Sequence, residues 1–223
     1  MFKYLAKLSK NIRVLFYISM IIKFLILVAI VTALYEHNWN IALIAFLTLI
    51  VSFLPTFLSR RFHLFLPPEF ELTFLIFLYG SIILGSINQF YEKIPWWDVW
   101  LHSLSAVMFA LVGFMIIYSL YLTDKVIFSP IFAALFSFCF AMAIGGVWEI
   151  YEFGIDQFFG TNMQRSGLMD TMWDLIVDGV AALIVSIIGF FYLKGGDSLL
   201  MERFVKKFIN MNEKLRTKKQ GLI

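Results

Sequence analysis

A chain of 223 residues, 61% hydrophobic and only 15% charged, with a mean hydropathy of +0.85, is too apolar to be an ordinary water-soluble domain. Eighteen Lys and Arg against fifteen Asp and Glu give a formal net charge of +3 and an isoelectric point near 8.9. In so apolar a chain that excess belongs beside membrane headgroups, which excludes nucleic acid as the expected partner.

Six apolar runs follow in order, at about 14–35, 39–58, 70–91, 96–122, 127–157 and 171–193. Each is long enough to cross a hydrocarbon core of roughly 30 Å at 1.5 Å per helical residue. They predict an all-α polytopic membrane bundle of six transmembrane helices over 1–196, with a basic amphipathic cytoplasmic tail over 197–223. The first run is too long for a signal-peptide core and lacks a small-residue cleavage site, so it reads as retained. It carries Lys23, which reads as a snorkelling or a paired residue, with Glu71, at similar depth in the third run, as the candidate partner. Trp39, Trp96, Trp97 and Trp100 form the aromatic belt expected at a membrane interface.

The fourth run opens with Asp98 and His102, just after the turn Glu92-Lys93-Ile94-Pro95. The fifth holds Cys139, the single cysteine, which excludes an intrachain disulfide framework. It also holds Gly145-Gly146, a place for close helix approach or a kink, and it ends with Glu149, Glu152 and Asp156. A loop with Arg165 follows, and the sixth run begins with Asp170, Asp174 and Asp178. In the tail, Leu200, Phe204, Phe208 and Leu215 share an apolar face among lysines and arginines, the pattern of an interfacial helix on anionic lipid.

Lys and Arg set the orientation. Fifteen lie in the N-terminal segment, the second and fourth loops and the tail; only Lys93 and Arg165 lie on the other side. Both termini are therefore expected in the cytoplasm, in a multi-pass inner-membrane protein. Every acidic cluster then falls on the outside, where three helix ends meet one leaflet.

Seven of the fifteen acids lie in these clusters, so the concentration itself demands explanation. A carboxylate in hydrocarbon costs roughly 2.5–3.5 kcal/mol even on lenient insertion scales, which makes intramembrane acids site candidates. At 100° per residue, Asp170, Asp174 and Asp178 span an arc of about 80°, and Glu149, Glu152 and Asp156 about 60°. Each set is a stripe able to face the bundle interior. Asp98 and His102, four apart, share a face as well. Such a desolvated group of like charges requires cations, shared protons or Arg165. Structural roles compete at some positions: Asp170 suits an N-cap, Asp98 a helix N-terminus, and Asp156 the headgroup level. The chain has no Walker A, dinucleotide-glycine, Gly-x-Ser-x-Gly or His-Glu-x-x-His motif.

The set Asp98-x3-His102, Trp148-Glu149-Ile150-Tyr151-Glu152-x3-Asp156 and Asp170-Thr171-x2-Asp174-Leu175-x2-Asp178-Gly179 resembles the bacterial inner-membrane family typified by YjdF. More distantly it is similar to VanZ-like proteins, whose plan His102, Glu149, Arg165 and Asp174 follow approximately. Asp178 stands where that plan usually has Asn, and Glu152 where it has Gln. The VanZ likeness points at most toward the cell envelope.

The residues themselves favour an outward-facing metal site. Glu149, Glu152, Asp156, Asp170, Asp174 and Asp178 are the expected ligands, with His102, Asp98 and Arg165 as catalytic candidates. Such a carboxylate-rich set suits Mg²⁺, Mn²⁺ or Ca²⁺ ahead of Zn²⁺ or iron. A metal-dependent hydrolase or transferase acting on a lipid or polyprenyl-phosphate headgroup follows from that depth. A cation or proton transporter, and a non-catalytic envelope or resistance accessory protein, remain as alternatives.

Overall fold

The computed structural model describes residues 10–62, 65–123, 126–160, 162–196 and 198–212. Among these the chain is helical without strands, and six helices are long and apolar enough to cross a membrane. The chain divides into two compact units, Met1–Trp97 and Asp98–Ile223.

The first unit begins with α1 (Lys10–Tyr35), α2 (Trp39–Val51) and α3 (Leu54–Phe62). Asn38 caps α2 by accepting from the Ile41 amide. The second span, expected at 39–58, runs from Trp39 to Phe62, with its helix interrupted at Ser52-Phe53. Pro55, in the first turn of α3, has no N–H to return to Val51 and its ring would clash with that carbonyl. The Ser52 hydroxyl instead donates to Leu49 O at 2.6 Å. Next, α4 (Pro68–Leu78) opens on proline, whose missing N–H costs nothing at a helix start, and places Glu69 and Glu71 in its first turn.

The helix then widens into a π-helical segment, Tyr79–Ile87, so the third span ends short of the expected residue 91. Trp97 donates its indole N–H to Gly80 O at 3.0 Å, and Tyr91 packs where a Cβ on Gly85 would stand. After the short α5 (Phe90–Lys93), the unit closes around Ile26, Ile30, Ala45 and Ile83. Of the two readings of Lys23, pairing is the one present: its Nζ lies 2.9 Å from Glu71 Oε1, with the ammonium over the Phe53 ring. Trp39, Trp96 and Trp100 are exposed as a belt requires, whereas Trp97 is turned inward.

The second unit contains α6 (Trp97–Leu122), α7 (Pro130–Phe159), α8 (Leu168–Leu193) and α9 (Leu199–Met211). Small residues let these helices approach. Ala110, Ala141 and Ala182 form the core with Val185, and Ser137 bridges α7 to α6 by donating to Ala110 O at 2.6 Å. Phe140 lies against Gly113, and Phe114 against Gly189, at distances a Cβ would fill.

Of the tail's predicted apolar face, Phe208 is buried and Phe204 is half-buried. Ser198 caps α9, whose apolar residues Met201, Val205 and Phe208 are buried in protein, with Met201 reaching the Gly189 position on α8. Lys206 pairs with Glu202 on the exposed side. Leu215 lies outside the described residues.

Candidate metal centre

Three helix ends converge in the second unit. From α6 come Asp98 and His102, one turn apart; from α7 comes Glu149; from α8 come Asp174 and Asp178, also one turn apart. At 1.5 Å per residue, Asp178 lies roughly 15 Å along α8 from Leu168, and Glu149 roughly 15 Å before Phe159. The acids therefore reach well into the apolar length of their helices.

His102 is the hub. Its Nδ1 lies 3.3 Å from Asp178 Oδ1, within hydrogen-bond distance. Its Nε2 faces three carboxylates: Asp98 Oδ1 at 3.8 Å, Glu149 Oε1 at 3.9 Å and Asp174 Oδ2 at 3.9 Å. These three contacts are too long for hydrogen bonds. Asp98, His102 and Asp174 each offer a ligand atom within 4.8 Å of the others. His102, Glu149, Asp174 and Asp178 are buried, and Asp98 is half-buried.

Glu149 gives the arrangement its direction. Only 5% exposed, it has both carboxylate oxygens buried without a hydrogen-bond partner among the described residues. The Thr171 hydroxyl lies nearby but does not meet hydrogen-bond geometry with it. A buried, unpaired acceptor typically costs about 1–3 kcal/mol, and more when charged. The one imidazole, even protonated, offsets only one of the four carboxylates around it. A divalent cation between Nε2, Asp98 and Asp174 fits the set, with Glu149 beside it. Neighbouring ligand atoms roughly 2.1 Å from a metal stand about 3.0–3.4 Å apart, so modest side-chain rotation closes 3.8–3.9 Å to a coordinating geometry.

Other expected site residues divide. Glu152 is half-buried and within electrostatic reach of Glu149, Asp98 and Asp174, but has no contact with His102 shorter than 4.0 Å. Asp170 occupies the first turn of α8, near Arg165, and is not its N-cap; Gly167, with φ +64, holds that position. Asp156 is committed elsewhere. Its Oδ1 accepts from the Met163 amide at 2.7 Å and its Oδ2 from the Gln164 amide at 2.8 Å, fastening the loop between α7 and α8. Both oxygens of this expected ligand thus face backbone donors of the loop. Arg165 is exposed on that loop.

Sequence reasoning passed over Gln164, whose Nε2 donates to Thr171 Oγ1 at 2.6 Å and ties the same loop to α8. An amide side chain in a polar loop carries no signal of such a contact. Gly145 serves close approach rather than a kink: α7 is continuous through it, and a Cβ there would lie 2.3 Å from Asp178 Oδ2. Its neighbour Gly146 faces open space.

Over 131 residues the chain is 32% identical to an uncharacterized protein of Thermotoga maritima, a match covering 57% of this chain and 65% of that protein. No solved structure matches. These comparisons do not show the VanZ-like relationship. A family model described as "Predicted membrane protein (DUF2238)" matches residues 17–195, from within the first span to the end of the sixth and with every acid of the cluster, and it is the family of the YjdF-like proteins. This multi-pass membrane protein therefore belongs to the DUF2238 family.

Proposed function

We propose that the cluster is a divalent-cation site open to the outer leaflet of the inner membrane, and that the protein is a metal-dependent hydrolase or transferase acting on a lipid-linked phosphate headgroup. His102 Nε2, Asp98, Asp174 and Glu149 bind the cation, with Glu152 and Asp170 supplying further negative charge nearby. The observation that carries the reading is Glu149: a carboxylate with both oxygens buried and unpartnered, beside an imidazole nitrogen that two other carboxylates also face. Mg²⁺ and Mn²⁺ suit a predominantly carboxylate set, and Mn²⁺ also accepts the imidazole readily.

A cation here would polarise a phosphoryl oxygen and lower the pKa of bound water. Hydrolysis would consume one water per ester, breaking the ester P–O bond, with one proton of that water leaving on the alcohol and its hydroxyl on the phosphate. Arg165, on the loop above, is the candidate to hold a phosphate oxygen. The outward orientation is supported by the distribution of Lys and Arg along the chain.

The test is elemental analysis of detergent-purified protein beside Asp174→Ala, followed by phosphate-release assays with polyprenyl phosphates and phospholipids in vesicles. Stoichiometric metal lost in the variant, with metal-dependent release from one headgroup class, supports the reading. Metal-free wild type showing pH-dependent cation flux in vesicles moves the protein to the transporter class.

A further inference from the structure

The metal-site reading leaves Asp178 and Gly145 without a role, yet they are the most tightly fitted residues of the cluster. Asp178 is 2% exposed, and one of its oxygens faces His102 Nδ1 at 3.3 Å. The other lies 2.3 Å from where a Gly145 Cβ would stand, closer than real Cβ atoms come to anything. Asp178 is therefore seated between the imidazole and the backbone of α7, and only glycine leaves room for it there. The other three carboxylates lie around the opposite nitrogen of the same ring.

Resting on the metal-site reading, we propose that Asp178 is a positioning residue rather than a ligand: it accepts the Nδ1 proton of His102, fixing the tautomer that leaves Nε2 bare for the cation, and Gly145 provides the space that makes this possible. A carboxylate behind a metal-binding imidazole orients the ring and raises its basicity, and loss of such a partner typically costs 10–100-fold in metal affinity. The ring has two distinct nitrogens, and the hydrogen bond at one decides which function remains at the other. The proposal also sorts the α8 stripe. Asp174 faces the cation, and Asp178, one turn deeper, faces the ring that holds it.

The experiment uses the full chain in detergent with histidine-labelled nitrogen, His102 being identified among the three histidines by the signal missing in His102→Gln. In Zn²⁺-loaded protein the expected spectrum has Nε2 metal-bound and Nδ1 protonated. Mn²⁺ titration followed by electron paramagnetic resonance should show Kd raised 10–100-fold in Asp178→Asn and in Gly145→Ala, and unchanged in Gly146→Ala. Metal on Nδ1 overturns the proposal. So does an unchanged Kd in Asp178→Asn, or a loss of binding as complete as in Asp174→Asn, which would make Asp178 a ligand. If wild type takes up neither ion, the metal reading fails and the metal-free spectrum decides the positioning. At a pH where the imidazole is neutral, a proton held on Nδ1 in wild type supports it, and an even mixture of tautomers overturns it.

Discussion

Lys23 Nζ and Glu71 Oε1 stand 2.9 Å apart, joining the middle of α1 to the first turn of α4 within hydrophobic spans. The lysine side chain is 11% exposed and the glutamate 35%, so the pair is only partly desolvated. Removing one partner leaves the other charge stranded, whereas removing both does not. Lys23→Met alone is expected to destabilise the protein by about 1–3 kcal/mol, reduced from the fully buried case by the exposure of Glu71. Adding Glu71→Leu should recover most of that loss, as thermal unfolding in detergent would show.

The acidic cluster predicts a different pattern. A cation bound only by the folded state adds roughly 2.7 kcal/mol of stability at a hundredfold excess over Kd. Chelation should lower the thermal transition, and Mg²⁺ or Mn²⁺ should restore it. The double variant Glu149→Gln, Asp174→Asn preserves side-chain volume while removing two negative charges from a crowded site. It should lose the metal response and be as stable as metal-free wild type, or more so. A destabilised variant, from a wild type indifferent to chelators, would instead mark the cluster as a structural polar network.

Asp156 distinguishes the loop from the acidic cluster. Asp156→Ala removes the acceptor of the Met163 and Gln164 amides, a loss of about 1–3 kcal/mol locally. Hydrogen exchange at those two amides should accelerate markedly while Mn²⁺ affinity stays within about twofold of wild type. A collapse of Mn²⁺ binding would return Asp156 to the site.

Burial of Phe208 tests where α9 resides. A helix lying on lipid tolerates Phe208→Ala with little change in unfolding, whereas a fully enclosed ring costs about 3–5 kcal/mol when truncated to alanine. The larger loss is expected, with Lys206→Gln on the exposed side nearly neutral.

Orientation is open to direct labelling. In a Cys139→Ala background, a cysteine in place of Arg165 should react with a membrane-impermeant maleimide in intact cells. Reaction only after permeabilisation would put the acidic face in the cytoplasm and remove the outer-leaflet substrate from consideration.

Membrane character, six spans and the stripes of acids were legible in the sequence because length and periodicity are local properties. An apolar run of about twenty residues spans a bilayer whatever surrounds it, and Asp174 and Asp178 share a helix face by helical geometry alone. The Lys23–Glu71 pair was legible for a similar reason, since depth along two adjacent spans can be counted. What the tertiary structure decided is which way each polar atom points. It turned both Asp156 oxygens to loop amides and covered Phe208 with protein. Above all, it set His102 among four carboxylates from three helices and seated Asp178 over Gly145. The last two depend on packing between segments distant in sequence, where the presence or absence of one Cβ determines whether two helices meet. No pattern within a single segment encodes that distance.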